Sequence, residues 1–381
     1  MEKTYKVFAI NPGSTSTKIA LFENEEKVFS VNVTHEAQKL KTFHEIKDQL
    51  EFRTETIMEA IRENGVSLEG VDAFAARTGG LASMEGGVYE LDGNTNQILA
   101  EHAFVGFAAK HPNNLGPRIA MELANVYGGR VFVVNPPDVD ELDDVERITG
   151  LHEVFRRAGS HALNLKENGI RYAKGVCGNY EEMNLIICHI GGGVSVSAHR
   201  CGKIVSCNNI VDGDGPMAPT RAGALPALDL LRLCFSGKYT EKELYDRITK
   251  TGGLADHLGT SEVLDILKMI EGGDRYAKLI YDAFIYQIAK AAGGCAAALR
   301  GMVDGIILTG GIARDNYLVD ELKGYLSWIA PISVQAGEFE MEALAAGAIR
   351  VMSGEEKGKI YTGIPVFTDF EHLKADEAVA V

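Results

Sequence analysis

Three short turns hold the residues best suited to grip an anion. They read Asn11-Pro12-Gly13-Ser14-Thr15-Ser16, His189-Ile190-Gly191-Gly192-Gly193 and Thr309-Gly310-Gly311-Ile312-Ala313. Glycine admits positive φ and puts no Cβ between backbone and ligand. Successive backbone N–H groups in such turns form an anion-binding concavity. Ser14 and Ser16 add hydroxyl donors, and Lys18 adds a cation beside the first turn. Each turn alone reads equally well as an ordinary hairpin; three of them at the ends of apolar strands do not. The helix-borne phosphate motifs, G-x-x-x-x-G-K-[ST] and a G-x-G-x-x-G between strand and helix, are absent from the sequence. A nucleotide bound here is held by paired hairpins instead of a helix N-terminus.

The elements that must position these turns repeat. YKVFAINPG is an apolar run into a turn, STSTKIALFEN alternates polar and apolar residues, and EKVFSVNV follows a charged turn. NLIICHIGGG, VSVSAHRCG and KIVSCNNIVDG repeat the same grammar. Asn11 and His189 stand at corresponding places in the two copies. VDAFAARTGG, GRVFVVNPP, VDGIILTGG and WIAPISVQAG read as further, largely parallel strands. Helices are expected around 41–65, 115–127 and 272–300, and in the Ala-rich segment EMEALAAGAIRVMSG. Strands alternating with helices give an α/β class with substantially parallel sheets.

Composition sets the outer bounds. The chain has 381 residues, enough for two domains. Hydrophobic residues make up 46% and charged residues 24%, the balance of a globular protein. A net charge of −15 argues against nucleic acid or an anionic membrane as partner. No apolar run reaches the length of a membrane span, and the N-terminal segment enters a strand directly without a signal-peptide pattern. The six Cys form no C-x-x-C pair and read as structural filler, several of them in apolar strands or helices, which fits a reducing cytoplasm.

NPGSTSTKIALF, CHIGGGVSVSAH, VDGDGP followed by RAG, LTGGIA and EMEALAAGAIRVMSGEE, in that order, resemble the butyrate kinases and their branched-chain carboxylate kinase relatives. That group resembles acetate kinase and shares the duplicated, ribonuclease H-like fold of sugar kinases, actin and Hsp70, with a cleft between lobes. The resemblance implies reversible ATP-dependent phosphorylation of a short-chain carboxylate, with Mg²⁺, ATP/ADP, the carboxylate and the acyl phosphate as ligands. It also implies a homodimer or higher homo-oligomer. Lobes are expected at 1–160 with 346–381, and at 161–345. Arg77 would hold the carboxylate, and Arg221 and His189 would contact the transferring phosphoryl group. Asn11 and Glu342 would belong to the Mg²⁺ site. Ser14, Ser16 and Lys18, with Gly191, Gly192 and Gly193, would line the phosphates; Gly310, Gly311 and Ile312 would lie against the adenosine. The alternatives are a catalytically weak nucleotide- and acyl-binding sensor, an acetate- or propionate-preferring kinase, and another enzyme of the same fold.

Three departures matter. Asn135 stands where the family carries its active-site Asp; loss of activity, altered metal dependence and rescue by Asp138 all follow as options. Glu262 and Leu264 stand where the family has Asp and Arg near the nucleoside. HPNNLGP replaces H-A-S-N-L-G, so His111 either replaces His102 or joins it.

Overall fold

The computed structural model describes residues 3–103, 111–371 and 373. The chain divides into two compact units: one runs to Asp140 and resumes at Phe339, the other spans Glu141–Glu338. The lobe limits expected at 160 and 346 therefore differ from the division found. Glu141 already belongs with the second unit, where its carboxylate accepts from Ile204 N at 2.8 Å and pairs with Lys166 at 2.8 Å. The helix Glu340–Ser353 belongs wholly to the first. Its buried residues include Met341, Leu344, Gly347 and Ala348. A Cβ on Gly347 would collide with the Val134 side chain, so glycine sets the close packing of helix on sheet.

In the first unit, β1 (Lys6–Pro12), β2 (Ser16–Glu23), β3 (Glu26–Thr34), β4 (Ala73–Ala76), β5 (Val88–Glu90) and β6 (Arg130–Val134) form one sheet, ordered β3-β2-β1-β4-β6-β5. The second unit's sheet contains β7 (Asn184–Ile190), β8 (Val194–Arg200), β9 (Lys203–Cys207), β10 (Gly305–Gly310) and β11 (Ile332–Ala336), ordered β11-β10-β7-β8-β9. Reversed, that order is β9-β8-β7-β10-β11, which matches β3-β2-β1-β4-β6 strand for strand. In both sheets the first three strands pair antiparallel and the next two add in parallel. The repeat seen in the sequence is thus a repeat of topology. The antiparallel strand β5, only three residues long, is extra.

Each sheet has its own core. Phe8 and Phe74 meet edge-on, with ring centroids 6.1 Å apart, on the first. On the second, the helix Arg275–Ala298 buries Ile280, Tyr281, Phe284, Ile285, Ile288 and Ala292, the three- and four-residue spacing read from the sequence. The helix expected from 41 begins later, at Leu50, after a 3₁₀ turn at Ile46–Gln49. β9 stops at Cys207 because the next side chain replaces the ladder: Asn208 Oδ1 accepts from Val196 N and its amide donates to the Val194 carbonyl.

Candidate active site

In the first unit β1 ends at Pro12 and the chain turns through Gly13, Ser14 and Thr15 into β2. Ser14, Thr15 and Lys18 are exposed, while Ser16 is partly buried. Asn11 lies opposite Lys18 in the β1–β2 register. Its side-chain amide donates to Glu340 Oε2 at 2.6 Å. The other oxygen of Glu340 pairs with Arg77, which follows β4 and is held there by its own N–H on the Ile10 carbonyl. Both side chains of that pair are mostly buried, at 16% and 17% exposure. Glu342, two positions on, makes an ion pair with Lys27 at 2.9 Å. The carboxylate brought to Asn11 and Arg77 is therefore Glu340, which the sequence reading passed over. The two glutamates sit in one helical turn, and only the packing of that helix decides which faces β1.

Asn135 is buried, with φ +38°. Its Oδ1 accepts from Gly87 N at 2.7 Å and its N–H donates to the Gly87 carbonyl at 3.0 Å. Asparagine tolerates the left-handed region better than other non-glycine residues, and here its side chain is committed to a backbone clasp. Asp138 sits under the loop that follows Arg77. Leu81 N donates to its Oδ1 at 3.0 Å, while Oδ2 is buried without a hydrogen bond. Desolvation raises its pKa to about 7. The two histidines separate: His102 bonds the Tyr361 hydroxyl at 2.7 Å, whereas His111 is close enough to Arg77 for that charge, after desolvation, to lower its pKa.

The second unit builds its turn differently. His189, at the end of β7, is 3% exposed. Asn164 Nδ2 lies 2.9 Å from His189 Nδ1. An amide NH₂ can only donate, so Nδ1 accepts and the ring proton sits on Nε2. Asn168 fixes that amide by donating to Asn164 Oδ1. Nε2 lies 3.0 Å from where a Cβ on Gly191 would stand. His161 stacks on His189 with ring centroids 4.1 Å apart, and its Nδ1 bonds Ser195 Oγ at 2.8 Å. Arg221 lies against Gly193, where a Cβ would collide with Nη1. That Nη1 is buried and makes no hydrogen bond, and no carboxylate pairs with Arg221 among the described residues. Desolvation lowers its pKa. His161 and Asn164 escaped the sequence reading because neither lies in a glycine-rich turn; both come from the segment that starts the helix Ala162–Gly175.

A cavity of about 580 Å³ opens beside this turn, lined by Gly192, Pro219, Thr220, Ser261, Glu262, Val263, Leu264, Leu267, Gly311, Ile312, Arg314, Asp315 and Asn316. Gly311 and Ile312, which the resemblance puts against the adenosine, line it together with Glu262, Leu264 and Gly192, a residue the resemblance puts at the phosphates. Gly310 does not line it. With φ +93° it presses on β7, where a Cβ would strike the Ile190 carbonyl.

Two sheets of one topology, each carrying a glycine turn between its first two strands, define the acetate and sugar kinase class of fold. Solved structures agree. The chain superposes on Porphyromonas gingivalis acetate kinase with a TM-score of 0.74 and 19% identity, covering 91% of this chain and 100% of that one. For Entamoeba histolytica acetate kinase the TM-score is 0.72 at 17% identity, covering 90% and 99%. The Acetokinase family model matches residues 147–336. A probable butyrate kinase of Clostridium botulinum (strain Alaska E43 / Type E3) is 46% identical over 358 residues, 94% of this chain and 100% of the relative. Butyrate kinase 2 of Clostridium acetobutylicum is 44% identical, over 94% of this chain and 99% of its own. The chain belongs to the butyrate kinases of the acetokinase family.

Proposed function

We propose that the protein transfers the γ-phosphoryl group of ATP to a short-chain carboxylate, butyrate or a branched-chain acid, giving acyl phosphate and ADP reversibly. The observation that carries this reading is Arg221: a cation packed on Gly193, with a buried, unbonded Nη1 and no carboxylate partner. Such a group is a site for an external anion, and phosphoryl transfer is mostly positioning and charge neutralisation. His189, with its proton on Nε2 over Gly191, is a second donor to the phosphoryl oxygens in transit. Stacked on it, His161 is held by Ser195 and keeps the imidazole in place. Arg77 takes the carboxylate, because its planar fork matches a carboxylate's two oxygens. Ser14, Ser16 and Lys18 serve the phosphates, and the 580 Å³ cavity takes the nucleoside.

Magnesium prefers oxygen ligands and keeps several waters, so one or two protein oxygens suffice. The Glu340 carboxylate beside the Asn11 side chain fits that need, although no group of three or more His, Cys, Asp or Glu side chains gathers among the described residues. When bound, the ion neutralises phosphate charge. Glu340 thus takes the role that the resemblance gives Glu342. Names of close relatives favour catalysis over the sensor alternative. The Asn135 clasp on Gly87 supports the same preference, since it gives that residue a structural task.

A homo-oligomer and a cytoplasmic location belong to the same proposal. The helix Ala227–Cys234 buries none of its residues, and Leu228, Leu231 and the following Phe235 are exposed, a surface a second copy would cover. All six cysteines are free, and no described helix is long and apolar enough to cross a membrane. The deciding assay supplies Mg-ATP and C2–C6 carboxylates and traps acyl phosphate with hydroxylamine. Trapped product with butyrate or a branched acid is expected; none with any acid, despite measurable ATP binding, would overturn the reading.

A further inference from the structure

The turn Gly13-Ser14-Thr15 is held from beneath by a side chain that the catalytic reading does not use. Arg53, on the helix Leu50–Glu63, is the largest fully buried side chain among the described residues. Its Nη1 donates to the Gly13 carbonyl at 3.0 Å and to Thr17 Oγ1 at 3.3 Å. Nη2 donates to the Ser14 carbonyl at 3.1 Å, and Nε to Gln49 Oε1 at 3.0 Å. All four acceptors are neutral. The neighbouring His35 is neutral as well, since burial and then the Arg53 charge push its pKa to about 4. No carboxylate pairs with Arg53 among the described residues. Burial lowers its own pKa to about 10, which leaves it charged at neutral pH.

The two carbonyls that Arg53 takes are informative. The Gly13 carbonyl shares a peptide unit with Ser14 N–H, and the Ser14 carbonyl shares one with Thr15 N–H. In a planar trans peptide the C=O and N–H bonds point in opposite directions. Both N–H groups therefore point away from the guanidinium. Ser14 and Thr15 are exposed, and neither amide has a hydrogen-bond partner among the described residues. The remaining carbonyls are also tied down: Thr15 O accepts from His35 N at 2.9 Å and Ser16 O from Gly13 N at 2.6 Å. Hydrogen bonds polarise one another along a chain, and charged donors do so most strongly. A buried charge is also little screened by salt.

We propose that Arg53 is a positioning residue that charges the first turn: by bonding the Gly13 and Ser14 carbonyls it fixes and polarises the Ser14 and Thr15 amides as a donor pair for a phosphoryl group. The identity of that anion rests on the kinase reading; the donor pair rests on geometry. A buried cation with only neutral partners is costly to fold, and an arriving phosphoryl group offsets that cost. The sequence hides this residue, because it falls inside the helix expected around 41–65 and in none of the glycine-rich turns.

The test compares wild type, Arg53→Met and Arg53→Lys by calorimetric titration with Mg-ATP and with adenosine, alongside steady-state kinetics in both directions and melting curves. Arg53→Met is expected to weaken ATP binding about tenfold while adenosine binding stays within twofold. Arg53→Lys, which keeps a cation and guards against a misfolded apolar variant, is expected to lose about threefold, since an ammonium lacks the fork that spans both carbonyls. A rise in KM for butyryl phosphate instead of for ATP would also support the donor pair, and would assign it to the acyl phosphate. Parallel losses for ATP and adenosine, or a lower melting temperature with every ligand constant unchanged, would reduce Arg53 to a structural role and overturn the proposal. Failure of the kinase reading looks different: the wild type itself would form no acyl phosphate.

Discussion

The two hairpin turns occupy the same place in the same topology, yet they are built from opposite materials. In the first, the groups that can meet an anion are backbone amides and short hydroxyls, and the cation Arg53 lies beneath them. In the second, the glycines are bare and the cation lies on top: Arg221 on Gly193, with His189 over Gly191. A backbone turn is rigid and holds one geometry, which suits a group that stays bound. Side chains can follow charge as it moves, which suits the group in transit. The duplication supplied two equal loops, and the neighbouring elements made one a cradle and the other a working surface.

The sharpest way to break this contrast is to remove the side chains above the second turn. Arg221→Ala is expected to lower kcat by about 10²–10³-fold, the usual size for a preorganised charge-stabilising donor. Its melting temperature should change little, because Arg221 has no carboxylate partner to lose. A kcat within threefold of wild type would refute the division of labour between the turns.

Asn164→Ala probes the same turn one step back. It removes the donor to His189 Nδ1 and lets the ring choose its tautomer. A fall in kcat of about tenfold is expected, with a shifted pH–rate profile and little change in KM, since the ring still occupies its place. Equal effects on kcat and on stability would mean that Asn164 only packs.

In the first unit, Glu340 and Glu342 should differ. Glu340→Gln removes the carboxylate bonded to Asn11 and paired with Arg77. It is expected to raise the Mg²⁺ requirement and the carboxylate KM about tenfold. Glu342→Gln removes the ion pair with the half-exposed Lys27, a contact worth roughly 0–1 kcal/mol, and should leave both constants within twofold. Mg²⁺ titration of initial rates separates the two, and the reverse ranking would restore Glu342.

That pair also marks where the sequence stops being readable. The repeated hairpins, the parallel strands and the long helix after 272 were legible because period and turn chemistry are local signals. The glycine-rich turns stood out for the same reason, and Gly192, Gly311 and Ile312 from two of them line one cavity. By contrast, Glu340 and Glu342 share a helix, a sign of charge and a neighbourhood, and differ only in which side of the helix meets β1. Arg53 lies within an expected helix and outside every motif, and its burial against β2 and the first turn depends on tertiary packing. His161 and Asn164 lie more than twenty residues before the β7 turn they serve. Strand β5, with three residues, is too short to show a period.

The smallest expected effect concerns Asp138, which lies under the loop after Arg77. With Oδ2 buried and unbonded, its pKa stands at about 7, against 3.8 for an ordinary aspartate. Between those values the folded protein keeps a proton that the unfolded chain releases. Stability must therefore fall as pH rises from about 4 to 7 and stay lowered above it. Asp138→Asn keeps an oxygen for Leu81 N and removes the titration. The variant should melt about 3 °C above wild type at pH 8, with the gap closing toward pH 4. A gap that does not change across that range would show that burial does not raise the Asp138 pKa, and would refute the prediction.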